Sequence, residues 1–268
     1  MIRRLTDRRD AALAPYRSVG DPAALARDGL FVAEGRLIVE RLLSLPAVRL
    51  HSIAVTGAAA DAMASLLDAR PDVPVLVCDA PVLEAVTGFH FHRGCLALGR
   101  RPATAIPLSA FARASRLIAL EGVGNPDNVG GLFRVALALG ADGVLLDPTS
   151  ADPLYRKAIR TSMAASLRVP FTRVEPWPSA LDELKSSGFR VIALTPNPAA
   201  VSIDDYVVEP DCRLILALGS EGPGLHSGTM RYADTRVRIP VDASADSLNV
   251  VVAAGVALHA LRDRRLMA

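Results

Sequence analysis

Four apolar runs mark the second half of the chain: "RLIALEG" from Arg116, "GVLL" from Gly143, "RVIALT" from Arg190 and "RLILALG" from Arg213. None alternates apolar with polar positions. Continuous runs are expected where both faces of a parallel sheet are covered. The intervening segments "NVGGLFRVALALG", "LYRKAIRTSMAASL" and "PSALDELKSSG" have helical spacing, and two of them stop at glycine, the usual helix terminator. Strands alternating with helices predict an α/β fold around an open parallel sheet. In such sheets ligands collect beyond the carboxyl ends of the strands, so the loops there are where chemistry is to be sought.

Upstream, the short strands "HSIAVT", "VPVLVC" and "CLALG" alternate with the helical patterns "GRLIVERLLSL", "AAADAMASLLDA" and "APVLEAVTG", which predicts a small α/β domain. The Pro-containing stretch "GRRPATAIPLSAFARAS" reads as a connector. The expected organisation is an amino-terminal domain over 1–103, a linker over 104–115 and a larger domain over 116–268.

Composition narrows the function classes. Hydrophobic residues make up 51% of the 268, enough for two cores, while aromatics at 4% are too few for base-stacking platforms. A net charge of +2 does not announce a nucleic-acid binder. One local cluster does: Arg156, Lys157 and Arg160 are helix neighbours by spacing, Arg168 and Arg173 follow, and no acid lies between Asp152 and Glu175. That face suits RNA phosphates, or is simply solvated. Cys78, Cys95 and Cys212 form no paired motif, and no secretory or membrane-spanning apolar run is visible, so a soluble cytoplasmic protein is expected. His90, His92 and Cys95 in "FHFHRGC" lack a fourth ligand at any standard spacing, and no metal is expected. Trp177, between prolines, reads as a packing anchor.

Three loops carry the chemical signal. The first is "EGVGNPDNVGG", after the strand "RLIAL". Asn128 is placed to cap the helix that follows. Gly130 and Gly131 cost about 1 kcal/mol each relative to Ala in the first turn, which implies a close approach to the backbone by a ligand or a packed neighbour. The helix is almost wholly apolar apart from Arg134, which reads as a buried guanidinium in need of an anion. The second loop, "LALGSEGPGL", sets Gly219, Gly222 and Gly224 around Glu221. In the third, "RVRIPVDASADSLNVVVAAGVALHALRDRR", a strand reaches Ile239, and Asp246 or Ser247 caps a long apolar helix with Ser247 and Asn249 near its free N–H groups. Neither a G-x-G-x-x-G nor a G-x-x-x-x-G-K-[ST] pattern occurs, so dinucleotide and Walker-type sites find no support.

In order, N-P-x-N-x-G-x-x-x-R, G-S-E-x-x-G-L and I-P…S-L-N-V resemble the motifs of the SpoU-type (TrmH-like) RNA ribose 2′-O-methyltransferases of the SPOUT superfamily. The resemblance covers about 116–263, and "FVAEGRLIVERLL" adds a weaker likeness to the family's ribosomal-protein-like substrate-binding domain. It implies a carboxy-terminal trefoil knot, a homodimer and S-adenosyl-L-methionine as cofactor. Thr195, Gly219, Gly222, Ile239 and Leu248 would line the cofactor pocket. Arg134 would be the catalytic arginine and Asn125 the asparagine of the first motif, with Glu221, Ser247 and Asn249 as the remaining polar positions. Val135, Ala164, Val241 and Ala243 depart conservatively from the family's usual residues. The separate amino-terminal domain favours ribosomal over transfer RNA as substrate. The alternatives are a transfer-RNA methyltransferase, or a non-catalytic RNA-binding or ribosome-assembly protein on the same fold.

Overall fold

The computed structural model describes residues 2–88, 90 and 94–261. They form two compact units, one of residues up to Thr104 together with Leu154–Leu167, the other of Ala105–Pro153 and the chain from Arg168 onward.

The second unit is built on strands β6 (Arg116–Glu121), β7 (Gly143–Leu146), β8 (Phe171–Arg173), β9 (Phe189–Leu194), β10 (Val201–Ser202), β11 (Arg213–Gly219) and β12 (Thr235–Arg238). The described strands pair in the order β10-β12-β9-β11-β6-β7-β8, and every pairing is parallel. The four apolar runs are the central strands β6, β7, β9 and β11, buried along almost their full length. Helices α6 (Pro126–Ala138), α8 (Asp182–Ser186), α9 (Ser227–Tyr232) and α10 (Val250–Ala260) belong to the same unit.

Helix α6 starts where proline is best tolerated. Pro126 opens its first turn, and Asn125 Oδ1 caps it by accepting from the Asp127 N–H at 3.0 Å. Val129, Leu132, Phe133 and Ala136 form its buried face, and Phe133 meets Phe171 edge-on at 5.6 Å. A neighbouring face packs on α10. A Cβ on Gly131 would stand 2.7 Å from Val251 Cγ2, so the glycine is what lets the two helices approach.

The expected linker is part of this core. Phe111 is buried, and it presses so closely on Gly143 that a Cβ there would lie 2.3 Å from its ring. Ile106 and Leu108 pack on the same cluster.

The first unit has strands β1 (Ile2–Leu5), β2 (Leu30–Glu34), β3 (Leu50–Val55), β4 (Val75–Cys78) and β5 (Cys95–Arg100) in the order β1-β4-β3-β5-β2. Here β3 and β2 run antiparallel to β5, whereas β1 and β3 run parallel to β4. Helices α1 (Pro22–Arg27), α2 (Arg36–Leu43), α3 (Gly57–Ala62), α4 (Ala64–Asp68) and α5 (Ala80–Thr87) connect them. A buried hydrogen bond of 2.9 Å joins Tyr16 Oη to Ser52 Oγ.

The domain boundaries differ from expectation in one further respect. Helix α7 (Arg156–Thr161), read as part of a continuous domain over 116–268, packs in the first unit. Ala158 and Ile159 are buried, Arg156 pairs with Glu34 at 3.7 Å, and Arg41 donates to the Met163 carbonyl at 2.8 Å. Its apolar face finds its partner on β2, which sequence periodicity cannot specify. No helix among the described residues is long and apolar enough to cross a membrane.

Phe133 anchors α6 to the sheet with no exposed surface. Phe133→Ala should therefore lower stability by about 3–5 kcal/mol; urea denaturation of the full chain measures this, and a loss below 1 kcal/mol, roughly the lower edge of ordinary mutational effects, would contradict the packing.

Candidate active site

The carboxyl ends of β6, β9, β11 and β12 lie on one side of their parallel sheet, and the segments that follow β9, β11 and β12 enclose a cavity of about 400 Å³. That volume falls in the range of small-molecule sites, roughly 300–1,000 Å³. Leu194, Leu218, Ile239, Val241, Leu248 and Ala253 supply an apolar lining, and Thr195, Glu221, Ser247 and Asn249 the polar groups. All the residues expected to bind a cofactor, namely Thr195, Gly219, Gly222, Ile239 and Leu248, line it.

Local backbone chemistry shapes the cavity. The chain folds back on itself after β11, where Ser220 bridges Gly224 and accepts its N–H at 3.1 Å. Gly222 and Gly224 take positive φ angles of 82° and 70°, which glycine adopts without strain. Gly219 is needed for space: a Cβ there would stand 2.1 Å from the Gly224 carbonyl carbon. Main chain thus forms a wall that no side chain could occupy. With the apolar lining, such a wall suits a flat group able to touch backbone.

The polar groups converge on one atom. Glu221 Oε1 accepts from Asn128 Nδ2 at 2.8 Å and from Asn249 Nδ2 at 2.9 Å, and Asn249 Nδ2 also lies 3.3 Å from Asn128 Oδ1. Asn249 is itself the N-cap of α10, its Oδ1 accepting from the Val251 N–H at 2.9 Å. Asp246 and Ser247, the expected caps, lie in the preceding loop. Asn249 is left one oxygen for the cap and one amide for the cluster, so its side chain has no freedom to turn.

Two expectations for the first loop are reversed. Asn125, expected in the catalytic cluster, is exposed and caps α6, whereas Asn128, expected as the cap, is buried and belongs to the cluster. The N1 proline fixes this: with Pro126 in the first helical position, the cap falls on the residue before it. Arg134 is not buried but lies on the exposed flank of α6, with no hydrogen bond or ion pair to any described residue, and it does not line the cavity.

The first loop is held from below. Ser150 Oγ donates to Asp147 Oδ1 at 2.6 Å and accepts from the Val123 N–H at 3.2 Å, and the Ala151 N–H reaches the Val123 carbonyl at 2.9 Å. Burial would raise the Asp147 carboxyl, but hydrogen bonds from Ser150, Thr149 and backbone N–H groups hold it below its ordinary value.

The basic cluster is dispersed. Arg156, Lys157 and Arg160 sit on α7 in the other unit, whereas Arg173 Nη1 is spent on the carbonyls of Asp147, Pro148 and Ser150 at 2.7, 3.0 and 3.0 Å. Of the histidine–cysteine stretch, His92 lies outside the described residues, and His90 Nδ1 is 3.5 Å from Glu84. Trp177 packs against the core of its unit, and its Nε1 donates to Glu121.

Known proteins are similar to the chain in sequence and in fold. An uncharacterised tRNA/rRNA methyltransferase of Mycobacterium tuberculosis is 40% identical over 233 residues, 86% of this chain and 80% of the relative. A 23S rRNA (guanosine-2′-O-)-methyltransferase of Burkholderia is 34% identical over 203 residues, 74% of this chain and 81% of its own. Among solved structures, an AdoMet-bound rRNA methyltransferase of Sinorhizobium meliloti superposes with a TM-score of 0.82 over 100% of this chain and 99% of its own, at 23% identity. Residues 115–259, over half of the 268, match the SpoU rRNA Methylase family, and with that sheet, that cavity and those relatives the chain belongs to it as an RNA methyltransferase.

Proposed function

We propose that the protein methylates a ribose 2′-hydroxyl of structured RNA, ribosomal RNA before transfer RNA, using S-adenosyl-L-methionine. The observation that carries this reading is the glycine-walled cavity closed by the Asn128–Glu221–Asn249 cluster. The residues fit the cofactor: Gly219 lets the chain after β11 fold back tightly to form main-chain wall, and Leu194, Ile239 and Leu248 add apolar lining suited to an adenine ring. The Burkholderia relative's stated 2′-O chemistry supports the position of methylation and the ribosomal substrate.

When bound, the cofactor would supply an electrophilic sulfonium methyl group to the ribose oxygen and leave as the neutral thioether, the hydroxyl proton passing to solvent water. The transfer is an in-line displacement, so rigid placement of both reactants contributes to rate, up to about 7–11 kcal/mol in favourable systems. The cluster provides that rigidity. Arg134 binds a phosphate next to the target ribose and stabilises charge as the hydroxyl proton leaves. A guanidinium is not a proton acceptor at ordinary pH, so its contribution is electrostatic. Asn128 takes the role that the sequence motif suggested for Asn125, Ser247 remains a candidate contact to the substrate at the cavity rim, and Arg156, Lys157 and Arg160 contact RNA elsewhere in the chain.

The active form is a homodimer. Val252 and Val256 stand one turn apart on α10 and remain 52% and 40% exposed, an apolar patch that a second copy would cover. Arg134 flanks the packed faces of α6 and α10 and lies outside its own cavity wall, so we assign it a place at the edge of that boundary. The trefoil knot of the SPOUT fold belongs to the same reading, supported by the way the segments around 194–196, 218–224 and 239–253 close on one cavity. Three free cysteines are compatible with a cytoplasmic location.

Arg134→Ala should lower the methylation rate at saturating cofactor by about 100-fold or more. Cofactor affinity, measured by calorimetry, should stay within about threefold of wild type, a change under 1 kcal/mol. Transfer of labelled methyl groups to the 2′-oxygen of ribosomal RNA fragments is the assay, and full activity in the variant, or methylation of a base instead, refutes the proposal.

The two asparagines should separate cleanly. Asn125→Ala should cost about 1 kcal/mol of stability as a lost helix cap and leave the turnover rate near wild type. Asn128→Ala should cut turnover by about 100-fold by releasing Glu221 and Asn249. Thermal denaturation paired with single-turnover methylation reads both effects, and the reverse outcome would restore Asn125 to the site.

A further inference from the structure

A second carboxylate lies beside the cofactor loop, and neither the polar cluster nor the proposed chemistry uses it. Glu121 ends β6, in register with Gly219 at the end of β11, and is 1% exposed. A carboxylate removed from water costs several kcal/mol unless donors surround it. Here they do. Trp177 Nε1, the His226 backbone N–H and Thr229 Oγ1 all donate to it, and His226 Nδ1 lies 3.5 Å from Oε1.

The donors come from two separate stretches of chain. His226 follows the cavity-lining residues Gly219–Gly224 by two positions, and Thr229 sits in the first turns of α9. Trp177 belongs to the segment between β8 and α8. Within the loop between Gly219 and Gly224 the Ser220–Gly224 bridge closes the turn and Glu221 is held by Asn128 and Asn249, but none of these contacts reaches past Gly224. One end is set by the pairing of β11 with β6. The other is set by the Glu121 carboxylate.

We infer that Glu121 is a positioning residue for cofactor binding: by gathering Trp177, His226 and Thr229 it fixes the far end of the glycine loop that forms the cavity wall. It touches neither substrate nor cofactor and acts through the loop. Three donors meet this one residue, so both of its oxygens must accept. A glutamine of the same shape would turn an N–H₂ towards a group that is itself a donor, leaving a buried clash of hydrogens.

The inference rests on the proposed cofactor, and the test separates the two. The full-length wild type is first titrated with S-adenosyl-L-methionine by calorimetry; absence of binding there overturns the proposed function. If wild type binds, Glu121→Gln should raise the cofactor Kd and KM by about 10-fold or more while kcat at saturating cofactor and the KM for RNA stay within about threefold. A role confined to stability would instead reduce the active fraction, lowering kcat and leaving the cofactor KM unchanged. Trp177 is the only tryptophan of the chain, so its emission reports directly on the bond to Glu121. Emission should shift in Glu121→Gln, and Glu121→Asp should recover part of both the emission and the affinity. Wild-type cofactor affinity in folded Glu121→Gln, or loss of kcat with an unchanged cofactor KM, overturns the inference. Should Glu121→Gln not fold, Thr229→Val removes a single donor and is expected to weaken cofactor binding by about threefold with kcat retained; an unchanged KM in that variant overturns the inference equally.

Discussion

Three segments, the first 93 residues before the second and the second 28 before the third, meet at a single oxygen, Oε1 of Glu221. Asn128 comes from the helix after β6, Glu221 from the loop after β11, and Asn249 from the cap of α10. Hydrogen bonds to a carboxylate are worth more than neutral ones, about 1.5–3 kcal/mol against 0.5–1.5. The greater effect is on uniqueness, because amide donors fixed to one acceptor hold their loops in a single relative position. The cavity exists because those loops agree on where to be, and the α6–α10 contact at Gly131 maintains the same agreement on the apolar side.

Much of this was legible in the sequence, for a physical reason. Buried parallel strands must be apolar on both faces, so β6, β7, β9 and β11 declared themselves, while β8 and β10, of three and two residues, are too short to carry a pattern. The cavity lining was legible through glycine, since a position such as Gly219, where a Cβ would strike backbone, admits nothing else. What could not be read was which polar side chain turns inward. Asn125 and Asn128 differ by three residues, close to one helical turn, and only the placement of Pro126 at the first helical position distinguishes cap from cluster. Glu121 left no trace, because a single acid at a strand end looks the same whether solvent or three donors await it. The packing of α7 in the first unit was equally hidden, since periodicity gives the apolar face of a helix but not the surface it meets.

Arg134 shows where reasoning from hydrophobicity overreaches. Counting apolar residues along α6 suggests that every face is covered, yet Val129, Leu132, Phe133 and Ala136 share one face and the glycines another. The remaining flank is open, and the arginine occupies it without a described partner. Exposure changes the energetics in favour of the proposed role. A buried guanidinium would need a permanent anion to offset its desolvation, and that anion would compete with substrate. An exposed one stays hydrated until a phosphate arrives, and bidentate binding then returns much of what desolvation costs.

The two glutamates divide the work of the site by burial. Glu221 is exposed and accepts only from amides, so it sits where a substrate can approach and where its charge is felt. Glu121 is enclosed, and its charge is consumed by Trp177, His226 and Thr229. An enclosed carboxylate makes poor chemistry but a firm anchor, because breaking any one of its bonds leaves charge without compensation. The loop that carries Glu221 contains Gly219, Gly222 and Gly224, which impose little on it by themselves. Freedom of that kind permits close contact with a ligand only if both ends are held. The strand pairing holds one end at Gly219, and the buried acid holds the other at His226, so the cavity wall is as rigid as its anchors rather than as loose as its glycines.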